Sequence, residues 1–311
     1  MTDKNILLKA YASMCTSNRM AEIYDENKQI CKYVHSTSRG HEAIQLAVGM
    51  QLKECDFVSP YYRDESILLG MGLTPYELML QLLTKKDDPF SGGRTYYGHP
   101  SLKRDGFPKI PHQSSATGMQ AIPATGIAHG IQYLENAGLL KTDDKPVVIC
   151  SLGDGSVTEG EVSEALQMAV LKMLPVIYLI QDNEWGISAY KDEMRAMDAY
   201  EFAAGFKGLK RIRIDGTDFN ECYIKFGDML NYVRTKRKPV LIHAKVSLLG
   251  HHTSGVRREW YRHDLDEHAK SDPVIKLRSL LKKQNATEDE LTEIENNSVI
   301  IAEESFSKAI A

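Results

Sequence analysis

Cysteine is sparse: Cys15, Cys31, Cys55, Cys150 and Cys222 are the only five in 311 residues, an odd number with no CxxC pair. That pattern gives no disulfide framework and fits a reducing compartment. Positive charge shows no excess. Lys and Arg total 38 against 42 Asp and Glu, a net charge of −4, which excludes the basic field that nucleic acid requires. No apolar run approaches the ~20 residues of a membrane span. Met1-Thr-Asp-Lys-Asn5 lacks the order of a secretory leader. Internal repeats and low-complexity tracts are also missing, and no GxGxxG opens a nicotinamide-dinucleotide site. A soluble cytoplasmic protein is expected.

What is present suits a large α/β domain or two ordinary ones, and 42% hydrophobic residues suffice for a real core. Residues 4–30 and 39–53 are expected to be helical, the second with Ala43, Leu46, Ala47 and Met50 on one face. Asp56–Pro60 is a short segment leading into Tyr61, Tyr62, Arg63 and Asp64. Thr74 followed by Pro75 opens a helix over 74–84. Residues 87–119, rich in Gly, Pro and aromatics, show no period, and so long a loop is usually functional or disordered.

From residue 120 strand and helix alternate. A helix is expected over 123–137. The apolar run Pro146-Val-Val-Ile-Cys-Ser-Leu152 then reads as a strand. Residues 160–173 carry apolar side chains at 162, 165, 166, 169, 170 and 173, the spacing of an amphipathic helix. A strand over 175–181 follows. The alternating Arg211-Ile-Arg-Ile214 is a further strand, Asp218 caps a helix reaching about 235, and Pro239–Val246 is the last strand. Residues 272–311 read as two helices, the second opened by a capping box between Thr287 and Glu290. Continuous apolar strands joined by helices imply a parallel sheet covered on both faces, and such sheets bind ligands at their carboxyl ends.

Two strand ends carry the chemistry. Gly153-Asp154-Gly155 closes the first apolar run, and after 27 intervening residues Asn183 closes the second. Magnesium takes near-octahedral oxygen ligands, commonly one or two carboxylates plus phosphate oxygens. Asp154 offers a carboxylate oxygen, Asn183 an amide oxygen and Trp185 a backbone carbonyl. Two diphosphate oxygens and a water would complete six ligands. Gly153 and Gly155 allow close backbone approach, and the helix starting near Gly160 turns a positive end toward an anion. The plainer alternative is a strand-to-helix turn using Gly and Asp for their turn chemistry.

Gly-Asp-Gly, about thirty residues, then Asn is the thiamine-diphosphate motif. From about residue 38 onward the chain resembles the alpha subunit of the thiamine-dependent decarboxylating component of 2-oxo-acid dehydrogenase complexes. The resemblance rests on Arg39-Gly-His-Glu-Ala43, Tyr62-Arg63-Asp64, Gly153-Asp-Gly-Ser-Val-Thr-Glu-Gly-Glu161, Asp182-Asn-Glu-Trp-Gly-Ile-Ser188, Arg213-Ile-Asp-Gly-Thr-Asp218 and Gly250-His-His-Thr-Ser254. The last motif points to the branched-chain members. The resemblance implies a three-layer, doubly wound parallel sheet, the thiamine-diphosphate-binding fold, with N-terminal and C-terminal helical extensions. It makes residues 1–311 a single domain: helices over 1–55, a core over 56–250, an active-site loop over 251–271 and helices over 272–311.

It also assigns roles. Asp154, Asn183 and the Trp185 carbonyl would bind Mg2+. Gly153, Gly155 and Ser156 would meet the diphosphate of thiamine diphosphate, and Tyr62 with Arg63 would grip it, the guanidinium being a fixed fork that stays charged. The alternative for Arg63 is a surface ion pair with Asp64 or Glu65. His252 would be the catalytic histidine, contacting phosphate and exchanging protons near neutral pH. The alternatives for His252 are a polar loop residue or a metal cluster with His251, His263 and His268, whose spacing is not a zinc pattern. Ser114–Pro123 matches a loop that meets the aminopyrimidine and, in branched-chain relatives, a potassium ion. Two departures stand out. Gln181 and Leu248 occupy positions where branched-chain relatives often carry arginine, and Arg257 or Arg258 is the expected substitute.

The implied activity is oxidative decarboxylation of a 2-oxo acid, with the acyl group passed to a lipoyl domain. The implied partner is a beta subunit that supplies the cofactor-activating glutamate, in a heterotetramer of two alpha and two beta chains. Thr253 sits where some relatives are phosphorylated. Three other readings stay open: a pyruvate or acetoin dehydrogenase subunit, a non-catalytic partner that binds thiamine phosphates, and a phosphate-binding enzyme of another type. Ending at Ala311, the chain reads either as a complete alpha subunit or as the first part of an alpha–beta fusion.

Overall fold

The apolar runs that end at Gly153 and Asp182 lie side by side at the centre of a parallel sheet. The computed structural model describes residues 1–31, 35–111, 113–140 and 144–311. Helices α1 (Lys4–Glu26) and α2 (Glu42–Gly49) precede strand β1 (Phe57–Ser59), which α3 (Glu65–Gly70), α4 (Pro75–Leu82) and α5 (Ala121–Asn136) follow. Next come β2 (Val148–Gly153), α6 (Gly160–Lys172) and β3 (Val176–Asp182). A two-residue ladder, β4 (Trp185–Gly186) with β5 (Ala189–Tyr190), leads through short α7 (Lys191–Met194) and α8 (Ala199–Phe202) to β6 (Lys210–Asp215). The chain continues through α9 (Phe219–Lys236), β7 (Val240–Lys245), α10 (Leu265–Ala269), α11 (Pro273–Lys283) and α12 (Glu288–Ile310).

The main sheet has the order β1-β2-β3-β7-β6, and every neighbouring pair is parallel. Successive residues of its strands enter opposite cores, because side chains alternate across a strand. Ile149, Ile177, Leu179 and Ile242 join a core with α2 and α9, while Val148, Cys150, Val176, Tyr178 and Leu241 join one with α5 and α6. The result is the expected three-layer α/β architecture. Edge strand β6 is only partly covered, as its alternating Arg and Ile side chains require. Helices α1 and α12, from the two ends of the chain, pack along each other, with Tyr11 donating to Glu295 and Arg19 paired with Glu303.

Local signals set most boundaries. Thr74 and Glu77 form a reciprocal capping box with Pro75 inside it, Asp218 accepts from the Glu221 amide, and Thr287 accepts from the Glu290 amide. The first two helices are shorter than expected. Helix α1 stops where the Asn27 side chain donates to the Ile23 carbonyl. Helix α2 starts only at Glu42, because Gly40 takes φ +94°, and a Cβ there would lie 2.0 Å from the Ser247 carbonyl oxygen. That close approach joins the N-terminal motif to the segment that follows β7.

Candidate functional site

The carboxyl ends of β2 and β3 meet in register, Gly153 beside Gln181. Residues 154–158 then form a 3-10 segment, and α6 begins at Gly160 after the single residue Glu159. A cavity of about 300 Å³ opens at this end, lined by Tyr61, Tyr62, Gly153, Asp154, Gly155, Ser156, Asn183, Trp185 and His252, with the 114–118 loop opposite. All the expected site residues except Arg63 therefore share one cavity. A Cβ on Gly155 would meet nothing within 4 Å, so this glycine leaves open space rather than relieving a clash.

Asp154 is buried, with Oδ2 3.2 Å from Arg195 Nη1. Neither atom has a hydrogen-bond partner among the described residues. Burial and the charge of neighbouring Asp182 push the Asp154 carboxyl well above the usual carboxylate range. Asp182 is held low, because Arg195 Nη2 donates to both its oxygens at 2.8 Å and His243 Nε2 lies 2.8 Å away. Asn183 accepts from the Trp185 amide through Oδ1 at 3.0 Å and donates through Nδ2 to His41 Nε2 at 3.2 Å. The Trp185 indole donates to Asp264 at 2.7 Å and packs against Tyr190, Tyr261 and His263, which fixes the backbone carrying its carbonyl.

Arg63 does not line the cavity. It is 1% exposed, and its guanidinium donates to the carbonyls of Thr37 and His252 at 3.2 and 3.3 Å. Its Nε has no hydrogen-bond partner among the described residues, and no ion pair forms with Asp64 or Glu65. Those carboxylates are engaged elsewhere: Asp64 accepts from the Tyr61 amide and from Gln181, and Glu65 from Tyr97 and Ser17. Arg63 thus holds the backbone of His252 with a buried charge that forms no ion pair among the described residues. Burial, and secondarily that charge, push the His252 imidazole down to about 3, and its buried Nδ1 is without a partner among the described residues. Tyr62 meets the His252 ring edge-on at 6.0 Å.

The expected substitutes for the missing arginines lie elsewhere. Arg257 pairs with Asp25 and Glu259, and Arg258 lines a neighbouring cavity with Arg39, His251, Thr253 and Ser254. Gln181 is a filled position rather than a gap, since its amide bonds to His41, Gln45, Asp64 and Ser151. Sequence reasoning missed Arg195 and gave His41 no role. Arg195 lies in an aperiodic stretch where nothing in the spacing singles it out, whereas His41 was within a quoted motif. Ile187, at the cavity rim, has φ +56°, a conformation that β-branched residues rarely adopt.

Parallel strands whose carboxyl ends gather oxygen donors around one cavity define an α/β protein with a candidate ligand site. The chain belongs to the dehydrogenase E1 component family, whose model matches residues 12–311. It is 30% identical over 256 residues to the 2-oxoisovalerate dehydrogenase subunit alpha of Bacillus subtilis, covering 81% of this chain and 74% of that one. It is 28% identical over 272 residues to the 3-methyl-2-oxobutanoate dehydrogenase subunit alpha of Mycobacterium tuberculosis, covering 84% and 66%. A pyruvate dehydrogenase E1 component subunit alpha of Mycoplasma genitalium is 28% identical over 244 residues, 78% of this chain and 62% of the relative. The expected kinship with alpha subunits of 2-oxo-acid dehydrogenases is borne out. No helix among the described residues is long and apolar enough to cross a membrane.

Proposed function

We propose that this chain is the alpha subunit of a 2-oxo-acid dehydrogenase that holds Mg2+ and thiamine diphosphate in the cavity at the ends of β2 and β3. In this reading it decarboxylates a branched-chain 2-oxo acid and passes the acyl group to a lipoyl domain. It works with a beta subunit in a cytoplasmic heterotetramer. The observation that carries the reading is the convergence of Asp154, Asn183 and His252 on one cavity, with Asp154 Oδ2 and His252 Nδ1 both buried and lacking hydrogen-bond partners among the described residues. Those atoms suit a divalent cation and an anionic ligand.

Asp154, Asn183 and the Trp185 carbonyl would hold the metal, and Gly155 and Ser156 would face the diphosphate. Arg63 acts from below, fixing the His252 backbone and adding positive charge without entering the cavity. His252 stays neutral near pH 7, so Nδ1 can accept or donate one proton as its tautomer dictates. When bound, the cofactor supplies the electron sink that takes up the pair left by departing carbon dioxide. The protein's share is binding, orientation and the exclusion of water. This reading treats residues 1–311 as one domain, with 251–271 as the loop bordering the cavity.

Similarity to relatives named for branched-chain 2-oxo acids at 28–30% identity supports the substrate class, although a pyruvate-named relative also matches at 28%. A panel of 2-oxo acids with an artificial electron acceptor, assayed on the chain purified with a beta-type partner, tests the proposal. Preference for branched acids is the expected outcome. Preference for pyruvate would replace the substrate, and no turnover with Mg2+ and thiamine diphosphate would overturn the reading.

A further inference from the structure

Behind Asn183 runs a chain of buried hydrogen bonds whose polarity is set at both ends by backbone groups. At the far end the Ser66 N–H, which can only donate, points to Gln45 Oε1 at 3.2 Å, and the Arg63 carbonyl, which can only accept, takes Gln45 Nε2 at 3.1 Å. The Gln45 amide is therefore fixed. Its Nε2 donates to Gln181 Oε1 at 2.9 Å, which fixes the Gln181 oxygen. His41 Nδ1 lies 2.9 Å from that same oxygen and must carry the proton. A neutral ring then presents Nε2 as an acceptor, 3.2 Å from Asn183 Nδ2. The Asn183 amide is left with nitrogen toward His41 and oxygen toward the Trp185 N–H, 3.0 Å away, and both residues line the cavity. The two ends agree. Gln45, His41 and Gln181 are all fully buried, and the Tyr61 hydroxyl stands 3.5 Å from His41 Nδ1, at the limit of a bond.

We propose that His41, seated on Gln181, is a positioning residue that turns the oxygen of Asn183 toward the metal. The inference rests on the metal-ligand role proposed above for Asn183. It also accounts for Gln181. A donor-only side chain at that position would turn the His41 ring into a donor at Nε2 and present the wrong edge to Asn183. Partners behind a metal ligand characteristically contribute ~10–100-fold to metal affinity.

The test is a Mg2+ titration at saturating thiamine diphosphate, followed by thermal stabilisation of the chain purified with its beta-type partner. His41→Ala is expected to raise the half-saturating Mg2+ concentration by ~10–100-fold. His41→Gln, which keeps an acceptor within reach of Asn183, is expected to return most of the affinity. Both variants should melt at similar temperatures without ligand, so the rescue separates positioning from bulk stability. Should His41→Ala fail to fold, Gln181→Met removes the group that sets the ring and is expected to raise the half-saturation by ~10-fold. A wild-type response to Mg2+ combined with unchanged half-saturation in the folded variants overturns the role of His41 alone. No Mg2+ response in the wild type takes down the metal site and this inference together.

Discussion

Arg195 bridges two aspartates: its Nη2 donates to both carboxylate oxygens of Asp182 at 2.8 Å, and its Nη1 lies 3.2 Å from Oδ2 of Asp154. One cation thus holds two adjacent strand ends, and Asp154 faces a side-chain cation as well as the cavity. Removing one member of a buried ion pair leaves an uncompensated charge, at a cost of about 3–5 kcal/mol. Arg195→Ala is therefore expected to lower unfolding stability by that amount at pH 7, measured by urea denaturation. The loss should shrink at lower pH, where the orphaned carboxylates take up protons. A loss below ~1 kcal/mol, the range of an exposed pair, would contradict the bridging role.

Glu65 and Asp64 govern a second expectation, on pH. Burial raises both carboxyls to about 7. Their ordinary values are 4.5 for Glu65 and 3.8 for Asp64. A folded value above the unfolded one means that the folded state binds more protons between the two. Their contribution is complete below the unfolded value and is lost as pH rises toward 7. Glu65→Gln, which keeps a partner for Tyr97 and Ser17, should flatten the decline between pH 4.5 and 7 by on the order of 3 kcal/mol. Chemical denaturation across that window checks it, and an unchanged slope would count against a protonated Glu65.

His252 gives the opposite sign. Its imidazole is pushed down to about 3 by burial and by the Arg63 charge. It should therefore remain neutral in the fold while the unfolded chain takes up a proton below its ordinary value of 6.5, so its contribution to stability falls as pH drops from there. Nitrogen-edge NMR of labelled imidazole is expected to show no protonation of His252 down to pH 5. A midpoint near 6.5 would mean that neither burial nor the Arg63 charge acts on the ring.

Strain at the cavity rim supplies a fourth expectation. Ile187 is 52% exposed at φ +56°. A left-handed conformation costs roughly 1–2 kcal/mol for an L residue and less for Asn, whose short polar side chain tolerates it. Ile187→Asn should raise stability by about 1 kcal/mol in the absence of ligand. A loss instead would show that the exposed Ile side chain contributes packing that outweighs the strain.

Periodicity and caps made most of the fold legible in the sequence. The doubly buried β2 and β3, the amphipathic α6 and the capped α4, α9 and α12 all carry their own local signals. The truncated start of α2 was not legible, because it depends on Gly40 meeting Ser247, more than two hundred residues away in sequence. The site divided along the same line. Asp154 and Asn183 stand at strand ends, where spacing finds them, and His252 lies in a compact motif that only the family resemblance singles out. Arg195 joins them only after the chain has folded back from β5, and Gln181 reads as a lost cation until its four hydrogen-bond partners are in view. Arg63 was expected to grip the diphosphate, and its placement on the His252 carbonyl rather than in the cavity is a tertiary outcome that no spacing encodes.

The central claim is that Asp154 and Asn183 together present oxygen ligands to a magnesium ion that holds a diphosphate. Calorimetric titration of thiamine diphosphate into the chain purified with its beta-type partner, with and without Mg2+, tests it most directly. The expected result is binding by the wild type that depends on Mg2+ and is abolished by Asp154→Ala. Equal affinity with and without Mg2+, or unchanged affinity in Asp154→Ala, would contradict the account.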